Sequence, residues 1–150
     1  MSRLLSRLEP LVGMWDMAPV VDGAQVMRTT MEFAWIEDGT YLVQRSRSEL
    51  LDTAPDVWKE NAPTASTSVV GADEESFTVL YTDSRGVYRV YGMEFDGQHW
   101  TMHRRSPGFD QRFTGDLSED GQTILGKWER SEDGGQTWLL DFDATLTRIR

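Results

Sequence analysis

Eight turn signals divide this chain at short intervals: Asp22-Gly23, Glu37-Asp38-Gly39, Asp73-Glu74-Glu75, Asp83-Ser84-Arg85-Gly86, Asp96-Gly97, Pro107-Gly108, Asp120-Gly121 and Asp133-Gly134. Asp-Gly pairs suit tight hairpins because their central residues need positive φ, which glycine reaches without a Cβ clash. Between the signals lie short runs that alternate apolar and polar residues, such as SFTVLYTD (76–83), VYRVYGMEF (87–95) and QHWTMHRR (98–105). A period of two marks strands, and turns this closely spaced connect neighbouring antiparallel strands. The reading is a meander of about ten strands: 12–18, 25–36, 40–50, 65–71, 76–83, 87–95, 98–105, 110–118, 123–131 and 136–149. A short-looped sheet of that size removes its exposed edges by closing on itself. The expected fold is an all-β, antiparallel up-and-down barrel, wide enough to hold one small ligand.

One phrase occurs twice: Ser118-Glu119-Asp120-Gly121-Gln122-Thr123 is echoed by Ser131-Glu132-Asp133-Gly134-Gly135-Gln136-Thr137. A calcium hand needs alternating oxygen ligands, a glycine at the sixth position and a glutamate at the twelfth, and neither copy supplies them. The flanking TILGKWER and QTWLLDFDATLTRIR are strand-like. The phrase therefore reads as two successive hairpin turns around one short strand, on the same end of the sheet or on adjacent corners.

Two segments fall outside the meander. Ser2 to Glu9 carries Leu4, Leu5 and Leu8 at helical spacing, with Ser2 placed to cap, and reads as a short helix plugging or flanking one barrel end. Residues 51–64, LDTAPDVWKENAPT, form a long loop with room for one helical turn. Trp58 within it is either a lid over the barrel mouth or a side chain tucked against the wall.

At 150 residues the chain is read as a single domain, 1–150. Its net charge of −10 opposes nucleic acid and anionic membranes as partners. There is no cysteine, so disulfides, thiolate nucleophiles and cysteine metal sites are excluded. No signal sequence or apolar run of spanning length is recognisable, and a cytoplasmic location is expected. Thirteen of the fifteen basic residues are arginine, whose planar guanidinium tolerates partial burial and grips carboxylates in a fork.

Alternation sorts Trp100, Met102 and Arg104 onto one face of their strand, and Val87, Arg89, Tyr91, Met93 and Phe95 onto one face of another. The apolar set should point inward and take its arginines with it. Gln111, Phe113 and Leu117 share a face, as do Ile124, Gly126 and Trp128. In the last strand Trp138, Leu140, Phe142, Ala144, Leu146 and Arg148 are read as inward, unless a bulge exchanges part of the set. The resulting candidate site has Arg45, Arg89, Arg104 and Gln111 converging on a polar or anionic head. Tyr91, Trp100, Phe113 and Trp128 line an apolar body, the usual composition of a small-molecule pocket. The competing reading pairs these arginines with Glu32, Glu94, Glu129, Asp141 or Asp143 to stitch the barrel.

His99 and His103 are the only histidines. Four strand residues span about 13–14 Å, too far for both to hold one metal, so no metal site is expected. No phosphate loop, dinucleotide fingerprint or nucleophile elbow is present, and no catalytic residue or cofactor is assigned. The leading expectation is a carrier or sensor of a small hydrophobic or amphipathic molecule. One alternative is a barrel enzyme for isomerisation or cyclisation, with Arg104, Tyr91 or Glu129 polarising the substrate. Another is a haem barrel using His99 or His103. A homodimer through a barrel wall is compatible with all three.

Gly13-Met14-Trp15 resembles the Gly-x-Trp signature of lipocalin and calycin barrels. The segments FAWIEDGTYLVQRS, DSRGVYRVYGM, WTMHRRSPGF, QRFTGDLSEDGQTILGKWERSEDGGQTW and DFDATLTR resemble a bacterial calycin-like or lipocalin-like family of unknown function. The resemblance spans most of the chain. It implies a calycin-like barrel closed by Gly13 and Trp15, with Arg148 lying across the tryptophan as a cation–π partner. It also implies a small-molecule pocket without naming an activity. Where the family often carries Glu-His, this chain has Leu139-Leu140. The chain is similar, more distantly, to nitrobindin haem barrels, which need a histidine late in the chain.

Overall fold

The computed structural model of the protein describes residues 3–150. Its strands are β1 (Gly13–Val21), β2 (Ala24–Gln25), β3 (Met27–Ile36), β4 (Tyr41–Leu50), β5 (Ala65–Ala72), β6 (Phe77–Asp83), β7 (Tyr88–Phe95), β8 (His99–Arg104), β9 (Asp110–Leu117), β10 (Thr123–Ser131) and β11 (Leu139–Arg148). Each pairs antiparallel with its neighbour in the chain, except that the two-residue β2 hangs on the end of β1 and leaves β1 beside β3. Pairing of β1 with β11, from Trp15 opposite Arg148 to Val20 opposite Asp143, closes the ring at ten strands. The fold is an all-β up-and-down barrel, and closure leaves none of the ten with an open edge.

Because the strands alternate in direction, the connections sort into two ends. The floor holds the turns at 37–40, 73–76, 96–98 and 118–122; the mouth holds those at 84–87, 105–109 and 132–138, together with residues 51–64. The two SEDG phrases therefore sit at opposite ends of the barrel, which corrects the expectation of a shared end. Their likeness is one of local chemistry. In each, the serine hydroxyl donates to the aspartate two residues on, Ser118 to Asp120 at 2.6 Å and Ser131 to Asp133 at 2.8 Å. The same serine oxygen accepts a backbone N–H from across the turn, that of Thr123 in one copy and Gly135 in the other.

The N-terminal helix is a 3-10 helix over Leu5–Leu11, starting three residues and ending two residues later than expected, and it has no side-chain cap. Ser2 lies outside the described residues. Leu5, Leu8 and Leu11 are buried and plug the floor. There Trp15 is fully buried and its indole N–H donates to the Leu11 carbonyl at 2.9 Å. The Arg148 guanidinium lies 4.2 Å from the Trp15 ring centre. It also donates to the carbonyls of Pro10, Val12 and Gly121, tying helix, first strand and the β9–β10 turn together. Gly13 has φ +134°, and a Cβ there would meet the Arg150 carbonyl oxygen at 2.5 Å. Only glycine lets the chain enter β1 this close to the last strand.

The expected β11 alternation holds from Phe142 to Arg148 and fails before it. The β10–β11 register shifts by one residue between Trp128 and Glu129. This bulge leaves Leu140 54% exposed and turns Asp141, beside Phe142, toward the interior.

Candidate functional site

Inside the barrel is a cavity of about 580 Å³. Its floor is Leu11, its waist is Met31, Phe33, Leu42, Val70, Val79 and Met93, and one wall is the aromatic group Trp100, Phe113 and Trp128. These rings pack edge-on, Trp100 to Phe113 at 4.8 Å and Tyr91 to Trp128 at 5.7 Å between centres. Space for them comes from Gly115 and Gly126, which face each other on β9 and β10. A Cβ on either would come within 2.9 Å of the Phe113 ring. Over the mouth lies α1 (Asp56–Asn61), whose Trp58 lines the cavity and packs edge-on against Phe142 at 5.1 Å.

The polar groups gather at the mouth. Tyr81 lines the cavity from β6, Arg85 folds back to it from the turn that follows, and the Asp83 side chain is buried behind them. Asp83 accepts from the Tyr81 hydroxyl at 2.8 Å and from Arg85 at 2.6 Å, while Arg85 also donates to the Asn61 carbonyl at 3.0 Å, anchoring α1. Burial alone would raise the Asp83 carboxyl, but bonds from Arg85 and Tyr81 outweigh it and hold the group at about 2, below the ordinary 3.8. Burial, reinforced by the bond to Asp83, pushes the Tyr81 phenol well above its usual range. From β10, Arg130 faces Asp141 at 3.7 Å. Burial raises the Asp141 carboxyl and Arg130 opposes the shift. Arg89 donates to Gln111 at 3.3 Å, and the same oxygen takes a hydrogen bond from Tyr91 at 3.0 Å. Burial raises the Tyr91 phenol, with Arg89 and Arg104 acting against it.

A carboxyl held below its unfolded value contributes stability above that value and loses it as pH falls through the folded one. Asp83 therefore contributes on the order of 2 kcal/mol near neutrality, lost between about pH 4 and pH 2. Urea unfolding of Asp83→Asn and wild type should show a gap in stability at neutral pH that narrows near pH 2.5. A gap of constant size would mean that Asp83 is not held ionised by these bonds.

Of the residues proposed from sequence, Arg89, Tyr91, Trp100, Gln111, Phe113 and Trp128 all line the cavity. Arg45 does not. It is exposed on the outer face of β4, while its neighbours Gln44 and Ser46 are buried and line the interior. Arg104, at the mouth end of β8, is half-buried and close enough to act on Tyr91 by charge, yet it is not part of the cavity wall. Glu129 lies on the outer face and accepts from Arg112 at 2.9 Å, which removes it from any role inside. Both histidines also face outward: His99 pairs with Asp116, both exposed, and the His103 ring lies over Gly92. Neither can ligate an iron in the lumen, which corrects the haem alternative built on them. Among the described residues no cluster of three or more His, Asp or Glu is placed to hold a metal ion, and no helix is long and apolar enough to cross a membrane.

Three arginines line the cavity: Arg85, Arg89 and Arg130. Arg85 is matched by Asp83, and Arg130 by Asp141 and Glu132. Among the described residues Arg89 has no carboxylate partner. Sequence reasoning overlooked Arg85 and Arg130. For Arg130 the signal was there, two residues beyond Trp128 on the same face.

No protein-family model matches the chain. No curated protein matches it either. Among solved structures, the barrel is similar to Rv2717c from M. tuberculosis, with a TM-score of 0.65 and 13% identity over 100% of this chain and 99% of that one. It is also similar to the S-type phycobiliprotein lyase CPES from Guillardia theta, with a TM-score of 0.58 and 14% identity over 97% of this chain and 92% of that one. The likeness is one of fold. Near-complete coverage on both sides of each comparison means that the barrel fold is shared along the whole chain.

Proposed function

We propose that the protein is a calycin-like barrel that binds a small amphipathic anion, as a carrier or sensor. The observation that carries this reading is Arg89: a half-buried guanidinium in the wall of an otherwise largely apolar cavity, with no acidic side chain to balance it. A charge drawn even partly out of water without a partner loses hydration, and a ligand that supplies the counter-charge restores the balance. Gln111 and Tyr91 fix the guanidinium from one side and leave its remaining N–H groups for an acceptor. A carboxylate fits that fork best. Met31, Phe33, Trp100, Phe113 and Trp128 then enclose the apolar body. A polar handle on an apolar pocket is how barrels of this size take single small ligands.

Isothermal titration tests it with decanoate and methyl decanoate. The acid should bind one per barrel, and the ester, which has the same chain without the charge, should bind at least about tenfold more weakly. Equal affinities, or no binding of the acid, would remove the anion from the proposal.

A further inference from the structure

Above the apolar waist, the part of the wall formed by β3, β4 and β5 that lies toward the mouth is polar, although it faces the same cavity as the aromatic rings. Thr29, Ser46, Ser48 and Ser66 all line it, and they satisfy one another in pairs across the strands, Thr29 with Ser48 and Ser46 with Ser66. Gln44 and Ser68 do not share in this. They are direct cross-strand neighbours, they are 8% and 5% exposed, and both line the cavity. Among the described residues neither side chain hydrogen-bonds to anything. A second buried donor without a partner, the Trp100 indole nitrogen, lies beyond Phe33, which is the cross-strand neighbour of Gln44 on the other side.

A buried polar group left without a partner is unfavourable by about 1–3 kcal/mol, so the Gln44 amide nitrogen, with the unpartnered Ser68 hydroxyl beside it on the cavity wall, needs an explanation. We propose that Gln44 and Ser68 form a second, deeper subsite that takes a neutral oxygen function, a hydroxyl or a carbonyl, on the body of the ligand. The inference rests on the reading of the barrel as a binder of an amphipathic anion. An amide and a hydroxyl can each donate and accept, which matches a neutral oxygen and not a charge, since neither can neutralise an ion. Register gives the spacing. Gln44, Ser68, Tyr81 and Arg89 stand opposite one another in turn on β4, β5, β6 and β7. Three strand spacings of about 4.8 Å put Gln44 no more than roughly 14 Å from Arg89 along the wall. The row also climbs, from the fourth residue of a strand rising off the floor to the second residue of one descending from the mouth. Tyr81, between them, donates its hydroxyl hydrogen bond to Asp83. The ligand is therefore an oxygenated acid, its carboxylate at the mouth and its second oxygen several bonds further in.

The probes are decanoate, 10-hydroxydecanoate and 9-oxodecanoate, titrated calorimetrically against wild type, Gln44→Leu and Ser68→Ala. One or both oxygenated acids should bind wild type about tenfold more tightly than decanoate, and whichever gains more names the function the subsite takes. Each substitution should shrink that preference below about threefold while leaving decanoate affinity nearly unchanged. Ser68→Ala carries the test alone if Gln44→Leu does not fold. Equal binding of the three acids to wild type overturns the inference and leaves the anion site standing. Binding by none of them overturns both.

Discussion

Trp15→Ala lowers the free energy of unfolding by about 3–5 kcal/mol, the range for removing a large aromatic side chain from a packed core. The site has little means of collapse. Trp15 is completely buried between the floor leucines of the N-terminal helix and the closing strand β11, and its register partner is Arg148. Removing the ring leaves the Leu11 carbonyl without its donor and the Arg148 guanidinium without the face it lies on. Arg148 stays fastened to Pro10, Val12 and Gly121, so the walls of the void stay fixed. Trp15→Phe keeps most of the volume but loses the indole N–H, and should lose about 1–3 kcal/mol. Chemical denaturation measures both. A loss below about 1 kcal/mol in the alanine variant would mean that the floor is not packed as described.

The strands were legible because their turns are chemically explicit. Asp-Gly pairs and the other turn signals mark where most of the hairpins reverse, and alternation does the rest on β6 to β10, where the inward face is mostly apolar. The same rule gave no phase on β4, where Leu42 and Val43 are adjacent and the inward residues that follow are Gln44, Ser46 and Ser48. An apolar-inside rule cannot anticipate a polar wall, and Arg45 was misplaced for that reason. Asp141 was hidden differently. A single bulge exchanges the faces of a strand, and nothing in LLDFDATLTR announces it. Arg85 was read as part of a turn. Its place in the cavity depends on a side chain reaching back to Asp83, and the period of a strand says nothing about turn residues.

Arg89→Leu weakens decanoate binding by at least about thirtyfold, the loss that follows when one partner of a desolvated charge pair is truncated at a cost of about 2 kcal/mol or more. The same substitution should leave the melting temperature unchanged or higher. Gln111 keeps its hydrogen bond from Tyr91, and a charge without a carboxylate partner leaves a partly buried position. The opposite signs on binding and stability separate a ligand-binding arginine from a structural one, because stitching the barrel would make its loss destabilising. Arg104→Leu is the matched control. It removes a charge from the same rim but outside the cavity wall, and it should change affinity by less than about threefold, since a rim charge acts mainly on encounter. Calorimetry and thermal denaturation on the two variants decide the matter. If Arg89→Leu binds like wild type, or if it alone lowers stability, its guanidinium belongs to the fold and the cavity has no anion to hold.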